Sequence, residues 1–407
     1  MGLIEHDDTG AAVNNEPINY LKFGKTIYSI ALACYIALTL LADKTAAIQI
    51  VPPVMFSIGK YLCLAIIVTK IAICRDFLFY SKSDWVKIVI ITTIILIVSY
   101  CSNSRLPLQY WIIVLGAFRL NFHDVARCVL IVESITLFSV ILLALLGVIP
   151  AEYTVRSNGR IRYSLGFEFA TYPAILFYYL SCLYLCLKKD AAGWRDYIVI
   201  LTLNSIMYVL TDTRTEILLV LLFIVAHFLI GKFQNSIIFG KVLFFAGCAS
   251  MIMSCIVSLI FAVTYTPDNP MLKAANSALS GRLALSHRGL NEYGISPFGT
   301  EIEWNTLEEI KADTSQQKIF NVVDNGYMNV TYNYGYVLLS MMMLGYFLAT
   351  KEINANKNSY LILAVVILAI HTFLTPQWSQ IIYNIYLILL TPIVIKGGAD
   401  LRADFYK

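Results

Sequence analysis

The chain has 407 residues, of which 58% are hydrophobic and only 14% are charged. Soluble domains average roughly 45–50% apolar and about 25% charged residues, so 56 charged side chains are too few to cover a soluble protein of this length. The mean hydropathy is +0.71, and the apolar residues form blocks of about 15–25, the length that a helix needs to cross a bilayer. The net charge is only +4, and no run of Lys or Arg indicates a nucleic-acid partner. The composition therefore excludes a soluble enzyme and predicts a lipid bilayer as the surroundings.

Twelve apolar segments predict an all-α, polytopic transmembrane bundle of about 12 spans with two functional outer loops. We divide the chain into a cytoplasmic N-terminal tail (1–24), a transmembrane bundle (25–263) with an outer Arg-rich loop (150–165), a large extracytoplasmic loop (264–330), C-terminal transmembrane helices (331–395) and a cytoplasmic tail (396–407). Residues 1–23 are polar and acidic, so we expect no cleavable signal peptide. In chain order the predicted spans are 25–42, 48–69, 86–101, 105–120, 126–149, 166–187, 197–210, 215–231, 241–263, 331–349, 359–374 and 380–395.

The basic residues predict the orientation of these spans. If both termini are cytoplasmic, 18 Lys and Arg residues lie in inner segments and 11 in outer segments, five of the latter in the loop 264–330. A long loop does not count in the positive-inside rule, which leaves six outer residues and predicts cytoplasmic termini. Seven of the 11 outer residues are arginines, although outer positive charge opposes this orientation. Because the planar guanidinium binds phosphate or carboxylate bidentately, the clustered Arg156, Arg160 and Arg162 indicate an anionic ligand, whereas a lone outer arginine is as well explained by lipid headgroup contacts or ion pairs within the loop.

The first outer loop concentrates three arginines around a turn. Asn158–Gly159 is a strong turn signal and predicts a short hairpin with Arg156 before the turn and Arg160 and Arg162 after it. Arg160 and Arg162 are two residues apart and share one face of an extended strand. Glu168 follows at the predicted start of the next span, where it can interact with the helix dipole and pair with one of these arginines.

A short polar segment between two spans reads Thr-Asp-Thr-Arg-Thr-Glu over residues 211–216. Thr213 and Glu216 have capping-box spacing. Arg214 then lies in the first helical turn, where the dipole disfavours a cation, so we predict a bound anion or a partner carboxylate, Asp212 being the nearest.

The long polar loop 264–330 carries further candidates: Arg282, His287, Arg288, and the segment Asp324-Asn-Gly-Tyr327. Ordered loops of this length are usually functional. Residues 305–320 have a helical pattern, with Asn305 as the predicted cap and Glu308 three positions later. The five histidines have no metal-ligand spacing, so we predict no metal and no cofactor. Lys60, Glu133 and His227 are ionisable residues within predicted spans, but no partner lies at helical spacing.

At four stretches the chain resembles the Wzy class of bacterial polysaccharide polymerases, which assemble O-antigen or capsule repeats. These stretches are Arg160-Ile-Arg-Tyr-Ser-Leu-Gly-Phe167, Thr211–Glu216, Leu279–Arg282 with Tyr293-Gly-Ile-Ser-Pro-Phe-Gly299, and Asp324–Tyr327 leading to Tyr334-Gly335. Members often have a His-Pro-Asn-like segment where this chain has Glu168-Phe-Ala-Thr-Tyr-Pro173. The Arg-to-Gly spacings in the two outer loops are also only approximate.

The resemblance implies a GT-C-like architecture in the bacterial inner membrane and a glycosyltransferase that uses undecaprenyl-diphosphate-linked oligosaccharides. A chain-length regulator and a flippase would be its partners. Such a reaction needs cations for the leaving diphosphate and a carboxylate or similar base for the attacking hydroxyl. The predicted diphosphate ligands are Arg156, Arg160, Arg162, Arg214, Arg282 and Arg288. Among the base candidates Glu168 ranks first and Asp324 second.

Asp212, His287 and Tyr327 are further candidates for a role in the site. Two other functions stay open at this point: an O-antigen ligase, which uses the same donor with a different acceptor, and a lipid-linked oligosaccharide transporter or flippase. A transporter would be expected to show a cationic cavity lined from within the spans and related halves. In this sequence the arginines concentrate on one predicted face, and no internal repeat is visible, which favours the polymerase.

Overall fold

The computed structural model describes residues 18–156, 159–305, 321–396 and 405–406. These residues form α-helices, short 3-10 helices and one two-stranded antiparallel sheet. The helices are α1 (Ile18–Lys44), α2 (Pro53–Ile73), α3 (Lys82–Cys101), α4 (Leu106–Gly116), α5 (Phe122–Leu145), α6 (Thr171–Lys188), α7 (Trp194–Thr211), α8 (Arg214–Phe233), α9 (Ile237–Thr264), α10 (Pro270–Ala278), α11 (Arg282–Tyr293), α12 (Gly326–Ala355), α13 (Ser359–Leu374) and α14 (Thr391–Val394). Strands β1 (Tyr153–Val155) and β2 (Ile161–Tyr163) lie between α5 and α6.

Seven of these helices are long and apolar enough to cross a membrane, which confirms the helical membrane class. They are α1, α2, α3, α5, α8, α9 and α12. Seven of the twelve predicted spans therefore correspond to helices of spanning length and hydropathy. The other five predicted spans fall on α4, α6, α7, α13 and the segment 380–395.

The predicted span 105–120 is wrong as a full-length helix, because α4 has only 11 residues. At 1.5 Å per residue it is about 17 Å long, short of the roughly 30 Å hydrocarbon core. Gly116 ends the helix where it packs closely on α2: a Cβ at this position would lie 2.4 Å from Ile67 Cγ2. The buried ammonium of Lys70 then donates to the carbonyl oxygens of Gly116 and Phe118, at 3.0 and 2.9 Å.

The predicted span 380–395 is not a continuous α-helix either. It contains the 3-10 helix Ile385–Leu390 and the single turn α14. Pro392 cannot donate to the residue four positions earlier, so it prevents one helix from running through both pieces. The five residues 385–389 are all buried, and irregular backbone is tolerated at membrane depth when protein surrounds it.

Helix α6 forms the centre of the bundle. It packs against α5, α7, α8 and α13, and 13 of its 18 residues are buried. A helix surrounded by protein needs no continuous lipid-facing apolar surface. This explains how α6 can carry several tyrosines and still occupy the middle of a membrane protein.

The two ends of the bundle differ in what they carry. One end, called here the hairpin end, carries β1–β2, and Thr45 after α1 pairs with Phe167 before α6 there. Ion pairs at the opposite end join Lys70 to Asp76 and Lys188 to Asp196, at 2.6 and 2.8 Å. The predicted outer loops 150–165 and 264–330 both contribute to the hairpin end, since Asp324 lines the same cavity as Arg156 and Arg162. Helices α10 and α11 were not predicted from the sequence, and the predicted helix after Asn305 lies outside the described residues.

Candidate functional site

The predicted Arg-rich hairpin is confirmed. Tyr153 pairs with Tyr163, Thr154 with Arg162, and Val155 with Ile161. The Arg156 N–H donates to the Arg160 carbonyl at 2.9 Å, and Gly159 has φ 79°, a conformation that favours glycine. Ser157 and Asn158 lie outside the described residues. The turn therefore holds the three arginines within one short hairpin.

All three arginines contact the last residues of α7. Asp212 ends that helix in a left-handed conformation (φ 48°). Its carboxylate pairs with Arg156 Nε at 3.2 Å and with Arg160 Nη1 at 3.1 Å. Arg162 Nε donates to the Thr211 carbonyl at 2.8 Å, and Arg156 Nη2 donates to the Asp212 carbonyl at 3.2 Å. Cations are stabilised at a helix C-terminus, and two of the three guanidinium groups share the Asp212 carboxylate.

The predicted capping box at Thr213 and Glu216 is wrong. Thr213 precedes α8 without a side-chain capping bond, and its hydroxyl pairs with that of Thr211 at 2.6 Å. Asp212 forms its ion pairs with the hairpin arginines Arg156 and Arg160, and Arg214 is exposed. Glu216 is buried and interacts electrostatically with both Arg162 and Arg282.

The four residues of the Asp324-Asn-Gly-Tyr327 segment have different structural roles. The Asn325 side chain caps α12 by accepting from the Tyr327 and Met328 N–H groups, both at 3.1 Å. Gly326 packs so closely on Trp378 that a Cβ would lie 2.6 Å from the indole Cδ1. Tyr327 is fully buried and its hydroxyl donates to the Ala369 carbonyl at 3.1 Å, so this candidate belongs to the core. The three residues hold Asp324 at the mouth of the helix.

Asp324 faces the first residue of α11. Arg282 Nε lies 3.8 Å from Asp324 Oδ2, and the two side chains are 18% and 38% exposed. Burial raises the pKa of Asp324, and the positive charge of Arg282 acts against that shift. Arg288 points elsewhere on α11 and pairs with Glu292 at 3.5 Å.

His287 is held by two hydrogen bonds. Its Nδ1 lies 2.7 Å from the Ala262 carbonyl oxygen, which can only accept, so this nitrogen carries the proton in the neutral ring. Nε2 then accepts from the Asn291 amide at 3.0 Å. Both ring nitrogens are occupied, which argues against His287 as a general base.

A polar cavity of about 1110 Å³ opens at the hairpin end. Among the predicted residues, Arg156, Arg162, Glu168 and Asp324 line it. The other predicted residues do not line it: Arg160, Asp212, Arg214, Arg282, His287, Arg288 and Tyr327. Arg282 contacts a lining residue, because it pairs with Asp324. The structure thus brings cations and carboxylates from three distant parts of the chain to one cavity.

Two guanidinium groups near the cavity retain unused donors. Within the described part of the chain, Arg162 Nη2 and Arg282 Nε are buried and have no hydrogen-bond partner. Burial and the neighbouring charge of Arg156 lower the pKa of Arg162. A buried donor without a partner is costly, so Arg162, which lines the cavity, is suited to an anionic ligand that accepts from it. The Arg282 Nε does not line the cavity and lies 3.8 Å from Asp324.

Glu168 also lines the cavity. It is exposed, its N–H donates to the Lys44 carbonyl at 3.0 Å, and its carboxylate interacts electrostatically with the Lys44 ammonium. The ammonium also lies 4.7 Å from the centroid of the Tyr172 ring. The prediction that Glu168 lies close to a helix N-terminus is confirmed, although α6 begins only at Thr171, and the structure identifies Lys44 as a charged neighbour.

Sequence reasoning missed several polar residues of the cavity. Gln377 and Gln380 come from the loop after α13, and Asn329 and Asn333 come from α12. The signal for the glutamines was present as Pro376-Gln-Trp-Ser-Gln380, a polar interruption between two apolar segments. Asn329 and Asn333 are four residues apart, which places them on one helical face.

The four stretches that carry the family resemblance meet at this end. Arg160 pairs with Asp212, and Arg282 pairs with Asp324. Gly299 and Gly335 interlock: a Cβ on Gly299 would lie 2.0 Å from the Asn333 carbonyl oxygen, and one on Gly335 would lie 2.3 Å from that of Pro297. Comparisons of the chain with protein-family models, with characterised proteins and with solved structures gave no match.

Proposed function

We propose that this chain is a polysaccharide polymerase of the outer face of the bacterial inner membrane. It transfers a growing glycan from undecaprenyl diphosphate onto a hydroxyl of the next lipid-linked repeat. The observation that carries the proposal is the cavity in which Arg156 and Arg162 stand with Asp324 at one end of an apolar helical bundle. This combination suits a substrate with a charged diphosphate, a polar glycan and a lipid tail.

The proposed reaction assigns a role to the carboxylate and to the arginines of the site. The acceptor hydroxyl oxygen forms a bond to the anomeric carbon of the donor while the bond from that carbon to the diphosphate oxygen breaks. Asp324 takes the hydroxyl proton, and undecaprenyl diphosphate leaves with the bonding electron pair. Arg156 and Arg162 stabilise the charge that develops on the leaving group, with Arg282 contributing from behind Asp324. The raised pKa of Asp324 makes its carboxylate a better proton acceptor than an ordinary aspartate.

The test uses the purified protein in lipid vesicles with lipid-linked repeats extracted from a host strain that lacks the gene. We expect wild-type protein to convert single repeats into a ladder of longer glycans on a gel. Asp324→Asn keeps the side-chain shape and removes proton-accepting power, so it should abolish the ladder. Glu292→Gln is the matched control, since Glu292 pairs with Arg288 on the same outer loop and is absent from the cavity lining.

Two outcomes would replace the polymerase by another function. Transfer of the glycan to added lipid A-core, without chain extension, would identify a ligase. Movement of lipid-linked repeats across the vesicle membrane, without any new glycosidic bond, would identify a flippase. Absence of a ladder with wild-type protein in the presence of intact repeats would overturn the polymerase.

A further inference from the structure

One face of the hairpin formed by β1 and β2 is apolar and uncovered. Successive residues of a strand point to opposite faces, and residues paired across two antiparallel strands point to the same face. Tyr153 pairs with Tyr163 and Val155 pairs with Ile161, so these four side chains share one face. Their exposed fractions lie between 43% and 63%, so the described part of the chain leaves them largely open. We refer to these four residues as the apolar hairpin face.

The opposite face of the hairpin is polar and belongs to the site described above. Thr154 pairs with Arg162 on this face, and both residues line the polar cavity. Arg162 is tied to the end of α7 through the Thr211 carbonyl. Ile161 and Tyr163 are absent from the cavity lining. The hairpin therefore stands between the polar cavity and whatever covers its apolar face.

The root of the hairpin is fixed at the end of a spanning helix. A Cβ on Gly166 would lie 2.9 Å from the Ala144 Cβ and 2.8 Å from the Ile149 Cδ1. Ala144 belongs to the last turn of α5, which is long and apolar enough to cross the membrane. Tyr163 precedes Gly166 by three residues, which span at most about 11 Å when extended. The apolar hairpin face therefore begins close to the level at which α5 leaves the bilayer.

Lipid-facing surface continues up to the hairpin. On a spanning helix, exposed apolar side chains contact lipid tails. Leu145 and Leu146 at the end of α5 and Val148 beyond it are more than half exposed. Val209, in the last turn of α7, is also more than half exposed. Both helix ends that the hairpin contacts thus present apolar side chains outward, next to the apolar hairpin face.

We propose that the apolar hairpin face lies on the bilayer leaflet at the hairpin end, at the level of the lipid headgroups, and anchors the Arg-rich loop there. Tyrosine is enriched at membrane–water interfaces, because its ring is apolar while its hydroxyl reaches water. Val155 and Ile161 add apolar area between the two tyrosines. Contact with lipid on this face sets the height of Arg162, on the other face, relative to the headgroups. The proposal uses the membrane class of the protein and does not depend on the reaction proposed above.

The experiment uses the full-length protein, a single copy per nanodisc of phosphatidylethanolamine and phosphatidylglycerol. An environment-sensitive fluorescent amino acid replaces residue 155 or residue 154. Both positions are exposed and adjacent on β1 but lie on opposite faces, so position 154 is the matched control. Phospholipids with a nitroxide on the headgroup quench a probe at the interface, and iodide quenches a probe in water. We expect the nitroxide lipid to quench position 155 about threefold more strongly than position 154, and iodide to show the reverse order.

Two results would overturn the proposal. Equal quenching of both positions by the nitroxide lipid, or stronger quenching of position 155 by iodide, would place the apolar hairpin face in water. Protection of position 155 from both quenchers would show that protein covers this face instead of lipid.

A double variant, Tyr153→Ser with Tyr163→Ser, tests the anchor itself. With the probe at position 155, nitroxide quenching should fall about threefold, because both interfacial rings are lost. Tyr100→Ser is the matched control, since Tyr100 is an 89% exposed tyrosine near the end of α3 and lies outside the hairpin. It should leave the quenching at position 155 as it is without the substitution. Unchanged quenching in the double variant would contradict the anchor.

Discussion

The sequence predicts diphosphate binding for both Arg162 and Arg214, but the two side chains have different surroundings in the fold. Arg162 lines the polar cavity with a buried donor unused, whereas Arg214 is exposed on α8. We expect Arg162→Ala to slow chain extension by about 10²–10³, the usual effect of removing one donor to a transition-state oxyanion. Arg162→Lys should restore only part of the rate, because the charge remains and the planar fork is lost.

Arg214→Ala serves as the control for this pair and should extend chains normally. Initial rates with extracted lipid-linked repeats measure all three variants. Equal rates for Arg162→Ala and Arg214→Ala would remove Arg162 from diphosphate binding.

The neighbourhood of Asp324 predicts a pH dependence. A base must be ionised to accept a proton, and burial raises the pKa of Asp324 while Arg282 lowers it. Activity should therefore fall as the pH decreases through an apparent pKa above that of an ordinary aspartate. Arg282→Gln removes the opposing positive charge, so the acid limb of the profile should move to higher pH.

Arg288→Gln is the matched control for this profile, since Arg288 lies on the same helix and pairs with Glu292. Its acid limb should coincide with that of the wild type. The measurement is kcat/KM against pH for the three proteins. If the acid limb of Arg282→Gln coincides with that of the wild type, Asp324 is not the group whose titration limits activity.

At the scale of elements, the segment that contains Gly299 packs closely into α12 at Gly335. Gly335 interrupts the helix with φ 83° and ψ 163°, and the Tyr336 and Val337 N–H groups donate to Ser296 and Pro297 carbonyls, at 3.1 and 3.2 Å. Glycine is the residue that adopts such a backbone without strain. This close contact positions Asn329 and Asn333 of α12 in the cavity wall.

We predict that Gly335→Ala lowers the free energy of unfolding by about 1–3 kcal/mol, the cost of a strained backbone, with a further loss from the contact with Pro297. Gly240→Ala is the control, because that helical position in α9 has open space around it and alanine favours a helix by roughly 0.5–1 kcal/mol. Thermal unfolding in detergent compares the two. A Gly335→Ala protein as stable as Gly240→Ala would show that the interlock contributes nothing.

At the scale of the whole molecule, the two ends of the bundle predict the topology. The hairpin end carries the polar cavity, and the opposite end carries ion pairs such as Lys70–Asp76. We expect the hairpin end to face outward, as the excess of basic residues in the other short segments indicates. Alkaline phosphatase fused after Asn305 should be active, and the same reporter fused after Lys357, in the turn between α12 and α13, should be inactive. The reverse pattern would invert the orientation and place the cavity in the cytoplasm.

The sequence by itself determined the membrane class and the hairpin around Gly159, and seven of its twelve predicted spans correspond to helices of spanning length. Apolar runs and turn residues are local properties, since they depend on neighbours within one helix or one turn. The same local reasoning failed at 105–120 and 380–395, where apolar segments are buried in protein. Hydropathy does not distinguish burial in protein from contact with lipid.

Only the tertiary structure decided which candidates share a site. It separated Arg156, Arg162, Glu168 and Asp324, which line one cavity, from Arg214, Arg288 and Tyr327, which do not. It also added Lys44, Gln377 and Gln380, which the sequence analysis did not name as candidates. Side chains more than a hundred residues apart meet through helix packing, and their spacing along the chain holds no trace of that contact. A site built from the ends of several helices therefore becomes visible only when the bundle is assembled.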